Sequence, residues 1–139
     1  PEMRGGTANC SVSLAADPIG SPLITAPDVL IAMNQPSLDK FESKVKPGGD
    51  IIYASFGILE PLTRTDITAY HIAAMETAAA LKMMKCFNRF VPGGRLKIHP
   101  VVKMESVMLA LKKTLPERHH NHLTVNEQAI LKGQELIKQ

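Results

Sequence analysis

Tryptophan is absent from this 139-residue chain, and all aromatic residues together make up only 4% of it. The core must therefore be filled by Ile, Leu, Val, Met and Ala, and the 45% hydrophobic content is enough for one globular domain over residues 1–139. Cysteine is nearly missing as well: Cys10 and Cys86 stand far apart. Two thiols exclude a cluster needing four thiolates and argue against a disulfide framework or a zinc site, so no metal is assigned to the chain. Cys10 then reads as a small core residue. No apolar run approaches the roughly 20 residues of a membrane span, and no charged-then-apolar leader precedes a cleavage site. A soluble, cytoplasmic protein with no membrane partner is expected. The net charge of +3 comes without a Lys/Arg run or interleaved aromatics, which argues against nucleic acid. It leaves room for an anionic ligand or an acidic partner.

What the sequence does contain is one complete strand–helix–strand unit. Val29 to Met33 is an unbroken apolar run bounded by Pro27-Asp28 and Asn34-Gln35-Pro36, the pattern of a strand buried on both faces. Leu38, Phe41 and Val45 recur at helical spacing, with Asp39, Lys40, Glu42 and Lys44 left for water. Pro47-Gly48-Gly49 ends that helix, and Ile51 to Ala54 forms a second buried strand, parallel to the first through a right-handed crossover. Ligands in such sheets bind beyond the carboxyl ends of the strands, which makes Asn34 and Gln35 candidate binding residues. Near the start, Arg4 beside Gly5-Gly6 can turn N–H groups and a guanidinium toward a phosphate or carboxylate, with Thr7 next in line. The same residues also make an ordinary turn.

Elsewhere the patterns are simpler. Cys10, Val12 and Leu14 alternate with Asn9, Ser11 and Ser13 as a half-buried strand, and Leu23-Ile24-Thr25 reads as a short edge strand. Ile67 to Ile72 is a further strand carrying His71, either a site residue or a hydrogen-bonded structural histidine. Ala73 to Met84 is rich in helix formers. Pro92-Gly93-Gly94 reads as a turn between two strands, Phe87 to Val91 and Arg95 to Ile98. Met104, Val107, Met108, Leu111 and Leu115 make a helical stripe stopped by Pro116, and Thr124-Val125-Asn126-Glu127 has capping-box spacing for a last helix through about Lys138. Arg118-His119-His120-Asn121-His122 between them lacks a helical i, i+4 His pair and reads as a solvated loop.

Pro1-Glu2-Met3-Arg4-Gly5-Gly6-Thr7-Ala8-Asn9-Cys10, Pro27 through Leu38, Lys46-Pro47-Gly48-Gly49 and Met104-Glu105-Ser106-Val107 together resemble the gamma subunit of 2-oxoacid:ferredoxin oxidoreductases over nearly the whole chain. The wording around Arg4 resembles the 2-oxoglutarate and branched-chain enzymes more than the pyruvate ones. The Gly-rich first βα unit usual in the family is not in this sequence, so the domain is expected to be incomplete at its N-terminal side. The segment Asn88 to Arg95 also departs from the family pattern, in which an apolar helical run follows the Asn.

The resemblance implies an α/β fold, a three-layer Rossmann-like open sheet of mixed, mainly parallel strands with flanking helices. It implies a non-catalytic subunit of an enzyme that converts a 2-oxoacid, 2-oxoglutarate first and branched-chain 2-oxoisovalerate second, plus coenzyme A to acyl-CoA and CO2 while reducing ferredoxin. Thiamine diphosphate, Mg and iron–sulfur clusters belong to other subunits, coenzyme A is a co-substrate, and the partners are alpha, beta and delta subunits, with ferredoxin reached through them. Arg4, Gly5, Gly6, Thr7, Asn34 and Gln35 become the candidate coenzyme A or anion site, with no catalytic residue on the chain. The rival reading is a free-standing α/β module that binds a nucleotide or another anion.

Overall fold

A computed structural model describes residues 7–21, 23–54, 58, 60 and 62–139. Three parallel strands, β1 (Val29–Ala32), β2 (Asp50–Ala54) and β3 (Thr68–Ile72), form a sheet in that order. Helix α1 (Gln35–Phe41), extended by a 3-10 turn (Glu42–Lys44), carries the chain from β1 back to β2. The turn between them is the Lys46-Pro47-Gly48-Gly49 stretch. Pro47 presets the first corner, Gly48 takes φ +76, and Gly49 N–H donates to the Lys46 carbonyl at 2.9 Å, a type II arrangement. Only a residue without Cβ accepts that φ cheaply.

Strand alternation gives the sheet two faces. Ala32, Ile51, Leu38 and Val45 form one core under α1. Ile52, Ala54, Ile72, Phe90, Val91 and Ala129 form the other, covered by α2 (Ala74–Ala80), α3 (Phe87–Ile98) and α5 (Leu123–Leu136). Each fully buried Leu, Ile or Phe contributes on the order of 1.5–3 kcal/mol. Helix α4 (Met104–Thr114) buries no residue completely and leans mainly on α5. Strand β1 is an edge among the described residues, and Ile31 on it is 41% exposed, so this strand is not buried on both faces. The C-terminal tail adds one antiparallel bridge, in which Lys138 and His71 exchange backbone hydrogen bonds.

Several expectations are corrected. Phe87 to Ile98 is one continuous helix with Pro92 inside it. The glycines that look like a turn serve close packing instead. A Cβ on Gly93 would lie 2.0 Å from the Ile130 carbonyl oxygen, and one on Gly94 would lie 2.3 Å from Ile72 Cδ1. Pro92 lacks the N–H of an interior helix position, a cost of about 3 kcal/mol that the burial of Phe90 and Val91 against α5 and the sheet offsets. Residues 8–21 form no strand, and Cys10, Val12 (76%) and Leu14 (70%) are exposed, so Cys10 is not a core residue; Leu23 is likewise exposed and unpaired with the sheet. An alternating pattern becomes a strand only against another backbone, and none of the described strands pairs with these residues. Cys86 is the buried thiol. Thr124 is not a cap, because the stretch Glu117–His122 is a 3-10 helix that runs straight into α5, and the Leu123 N–H already finds the His120 carbonyl. Helix α2 is shorter than its alanine run predicts. It closes in a left-handed turn at Lys82 (φ 57), with Lys82 and Met83 N–H bonding the carbonyls of Ala79 and Ala78.

Candidate functional site

Parallel strands place the candidate site at their carboxyl ends, where Asn34 and Gln35 follow β1 directly. Asn34 sits in extended backbone as the N-cap of α1, and its Oδ1 accepts from Ser37 N–H at 3.0 Å. Gln35 Nε2 donates to Asp39 Oδ1 at 2.7 Å, and its Oε1 accepts from Glu60 N–H at 3.1 Å. Both side chains predicted to meet a ligand therefore also shape the site, one by starting the helix and one by tying it to the chain beyond β2. On the same face of the sheet, Tyr53 and His71 are paired neighbours of β2 and β3, with ring centroids 5.7 Å apart.

The chain returning from β2 is held by Glu42, which the helical pattern assigns to water, together with Arg64. Glu42 is only 8% exposed. Its Oε1 accepts from Thr63 N–H (2.8 Å), Thr63 Oγ1 (3.0 Å) and Arg64 N–H (3.0 Å). Arg64 replies through Nη1 to the carbonyls of Glu42 (3.0 Å) and Val45 (2.6 Å), and forks onto Asp66 at 2.8 and 2.6 Å. This guanidinium holds the Asp66 carboxyl below the usual carboxylate range, and Asp66 in turn raises Arg64. Lys46 lowers Asp28 in the same way through a 2.6 Å hydrogen bond. The missed signal is spacing: Glu42 stands four residues after Leu38, inside the apolar stripe of α1. At the opposite end of the sheet, Asp50 at the start of β2 bonds His99 Nε2, bolting the end of α3 to the strand.

Of the first candidate group, Arg4, Gly5 and Gly6 lie outside the described residues. Thr7 is described, and it is drawn to α1: Lys40 Nζ donates to Thr7 Oγ1 at 2.9 Å. The structure thus sets Thr7 beside the helix that Asn34 caps. Among the described residues, no three His, Cys, Asp or Glu side chains converge to hold a metal ion. The five-residue His-rich stretch is a half-exposed 3-10 turn in which His120 Nε2 meets the Leu115 carbonyl at 2.9 Å.

The sequence profile described as pyruvate ferredoxin/flavodoxin oxidoreductase matches residues 1–136. The chain belongs to this family. Within it, the chain is 44% identical over 77 residues to ketoisovalerate oxidoreductase subunit VorA of Methanothermobacter marburgensis, which covers 52% of this chain and 16% of that protein. It is 26% identical over 141 residues to 2-oxoglutarate synthase subunit KorC of Methanocaldococcus jannaschii, which covers all of this chain and 74% of that protein. The chain thus spans under a fifth of the VorA relative and about three quarters of the KorC relative. The gamma subunit of a keto/oxoacid ferredoxin oxidoreductase from Geobacter sulfurreducens shares the fold with a TM-score of 0.70 at 23% identity, over 84% of this chain and 65% of that one. So does 2-oxoglutarate:ferredoxin oxidoreductase from Magnetococcus marinus, a structure with 2-oxoglutarate, coenzyme A and succinyl-CoA bound, with a TM-score of 0.68 at 24% identity, over 78% of this chain and 19% of that one. An open parallel sheet flanked by helices is therefore a family fold. No helix among the described residues is long and apolar enough to cross a membrane.

Proposed function

We propose that this chain acts as the gamma subunit of a multisubunit 2-oxoglutarate:ferredoxin oxidoreductase, converting 2-oxoglutarate and coenzyme A to succinyl-CoA and CO2 with reduction of ferredoxin. The observation that carries this reading is the match to a 2-oxoglutarate synthase subunit that runs the full length of the chain. The greater identity to the ketoisovalerate subunit over about half of the chain supports branched-chain 2-oxoisovalerate as the second reading.

In this account the alpha, beta and delta subunits supply thiamine diphosphate, Mg and the iron–sulfur clusters. The donor set of the chain fits that division: with one thiol exposed on the 8–21 segment and the other buried beside α3, it has no four thiolates to offer a cluster. Coenzyme A approaches Arg4, Gly5, Gly6 and Thr7 and the carboxyl edge at Asn34 and Gln35, where the chain binds and orients but breaks no bond.

Purifying the enzyme through a tag on this chain tests the proposal. Partner chains with thiamine- and coenzyme A-dependent ferredoxin reduction on 2-oxoglutarate are expected. Preference for 2-oxoisovalerate selects the second reading, and a chain that elutes alone, binding a nucleotide without 2-oxoacid turnover, makes it a free-standing module.

A further inference from the structure

We propose that the groove where α3 ends, α4 begins and α5 passes is a docking site for an acidic segment of a neighbouring subunit, anchored in it by apolar side chains. The inference rests on the functional reading above, which requires neighbouring subunits and does not say where they attach. Leu96 of α3, Val101 and Val102 of the connection, Met104 of α4 and Gln134 of α5 line the groove. Val101 and Val102 are 55% and 43% exposed, so these two successive branched residues bury little against their own chain. Leu131, one turn before Gln134 on α5, is exposed as well and continues the apolar surface. Apolar surface of this kind inside a polar rim is where protein partners attach. The groove is also preformed. The His99 carbonyl accepts from Arg95 Nη1 at 2.9 Å and from Val101 N–H at 2.8 Å, and the His99 ring is bonded to Asp50 of β2, so the connection carrying both valines is tied to the sheet. A segment that docks there orders only itself.

Charge says what the segment carries. Lys97 and Lys103 line the same groove, both exposed, and neither has a carboxylate partner among the described residues. Glu105 is the one acid on the lining. One turn further along α4 stands Leu109, exposed, followed by Lys112 and Lys113, so apolar surface edged by lysine continues up the helix. Lys103 at the N-cap of α4 makes no capping hydrogen bond through its side chain, which leaves the positive end of the helix dipole on the side of the groove. Aspartate or glutamate flanking an apolar anchor answers all of these features at once. A second copy of this chain does not: a two-fold contact through the groove sets the same lysines against each other.

The test measures the affinity of the full chain for the remaining subunits of the oxidoreductase, purified together without it. Two double variants are compared with wild type, Lys97→Glu with Lys103→Glu and Val101→Ser with Val102→Ser. All four residues are exposed, so Tm should stay near that of wild type. The expected result is a rise of about tenfold or more in Kd for each variant, with added salt weakening wild type more than the charge-reversed chain. Replacing Val102 with photoreactive p-benzoyl-phenylalanine then locates the contact in the assembled complex. The cross-link should fall on a peptide of a partner subunit in which Asp or Glu flanks an apolar residue. Wild-type affinity in both double variants overturns the proposal while leaving the functional reading standing. So does a cross-link to a second copy of this chain, or to a partner peptide without acidic residues. A wild-type chain that binds no subunit of the oxidoreductase overturns both.

Discussion

Alanine at Gly93 or Gly133 should destabilise the chain, although both positions lie inside helices, where Gly→Ala ordinarily gains about 1 kcal/mol. The two glycines form a reciprocal contact: a Cβ on Gly93 would lie 2.0 Å from the Ile130 carbonyl oxygen, and one on Gly133 1.9 Å from that of Phe90. In each case the obstacle is the backbone of the facing helix, which has no rotamer to change. The helices must separate by about 1 Å or more, opening the layer that holds Phe90, Val91, Ala129 and Ile130. Overpacking of this kind costs about 1–3 kcal/mol, and rigid backbone puts it at the upper end, so the net loss after the propensity gain is about 2 kcal/mol. For a chain of this size that lowers Tm by roughly 6 °C. Because one separation relieves both clashes, the double variant should cost less than the two single ones combined. Gly20→Ala is the control: a Cβ there meets nothing within 4 Å, and its effect should stay within about 0.5 kcal/mol. Urea unfolding followed by circular dichroism reads the four variants against wild type. Neutral or stabilised Gly93→Ala and Gly133→Ala would refute the close crossing.

Other changes follow from local geometry. Lys82→Gly should stabilise by about 1 kcal/mol, since a lysine at φ 57 pays the left-handed cost that glycine avoids; a lower Tm would show that the lysine side chain matters more than its backbone. Asn34→Ala should cost about 1 kcal/mol as a lost helix cap, whereas Asn34→Asp keeps the cap and should be neutral in melts while raising KM for coenzyme A if an anion passes here. Asp28 and Asp66 have folded pKa values below their ordinary ones, so their contribution is present above about pH 4 and lost as pH falls through the folded values. The Tm gap between wild type and Asp28→Asn with Asp66→Asn should thus close in strong acid; a gap as wide at pH 2 as at pH 7 would contradict the pairing.

The central unit was readable because its signals agree. Short apolar runs, a helical stripe and a Pro-Gly-Gly turn all specify strand, helix and parallel strand, and the structure has them at Val29–Ala32, Gln35–Phe41 and Asp50–Ala54. The reading failed where one residue type serves two purposes. Gly93 and Gly94 read as turn formers, but here glycine supplies space between a helix and its neighbours, and only the tertiary partner reveals that. The family pattern, helical at this point, was the better guide. Residues 10–14 have strand periodicity without a strand partner, and Thr124 has cap spacing inside a helix that begins earlier. At the site, position along β1 points to Asn34 and Gln35, and the Gln35–Asp39 pair has local i, i+4 spacing, while the Gln35–Glu60 and Glu42–Arg64 contacts join segments 25 and 22 residues apart, so their partners cannot be read from neighbouring sequence.

The most direct test of the account is the rate of coenzyme A-dependent ferredoxin reduction on 2-oxoglutarate by the enzyme assembled with and without this chain. Omitting the chain should remove or severely slow turnover, and adding it back should restore the rate. Equal rates with and without it would contradict the claim that the chain is a working part of the oxidoreductase.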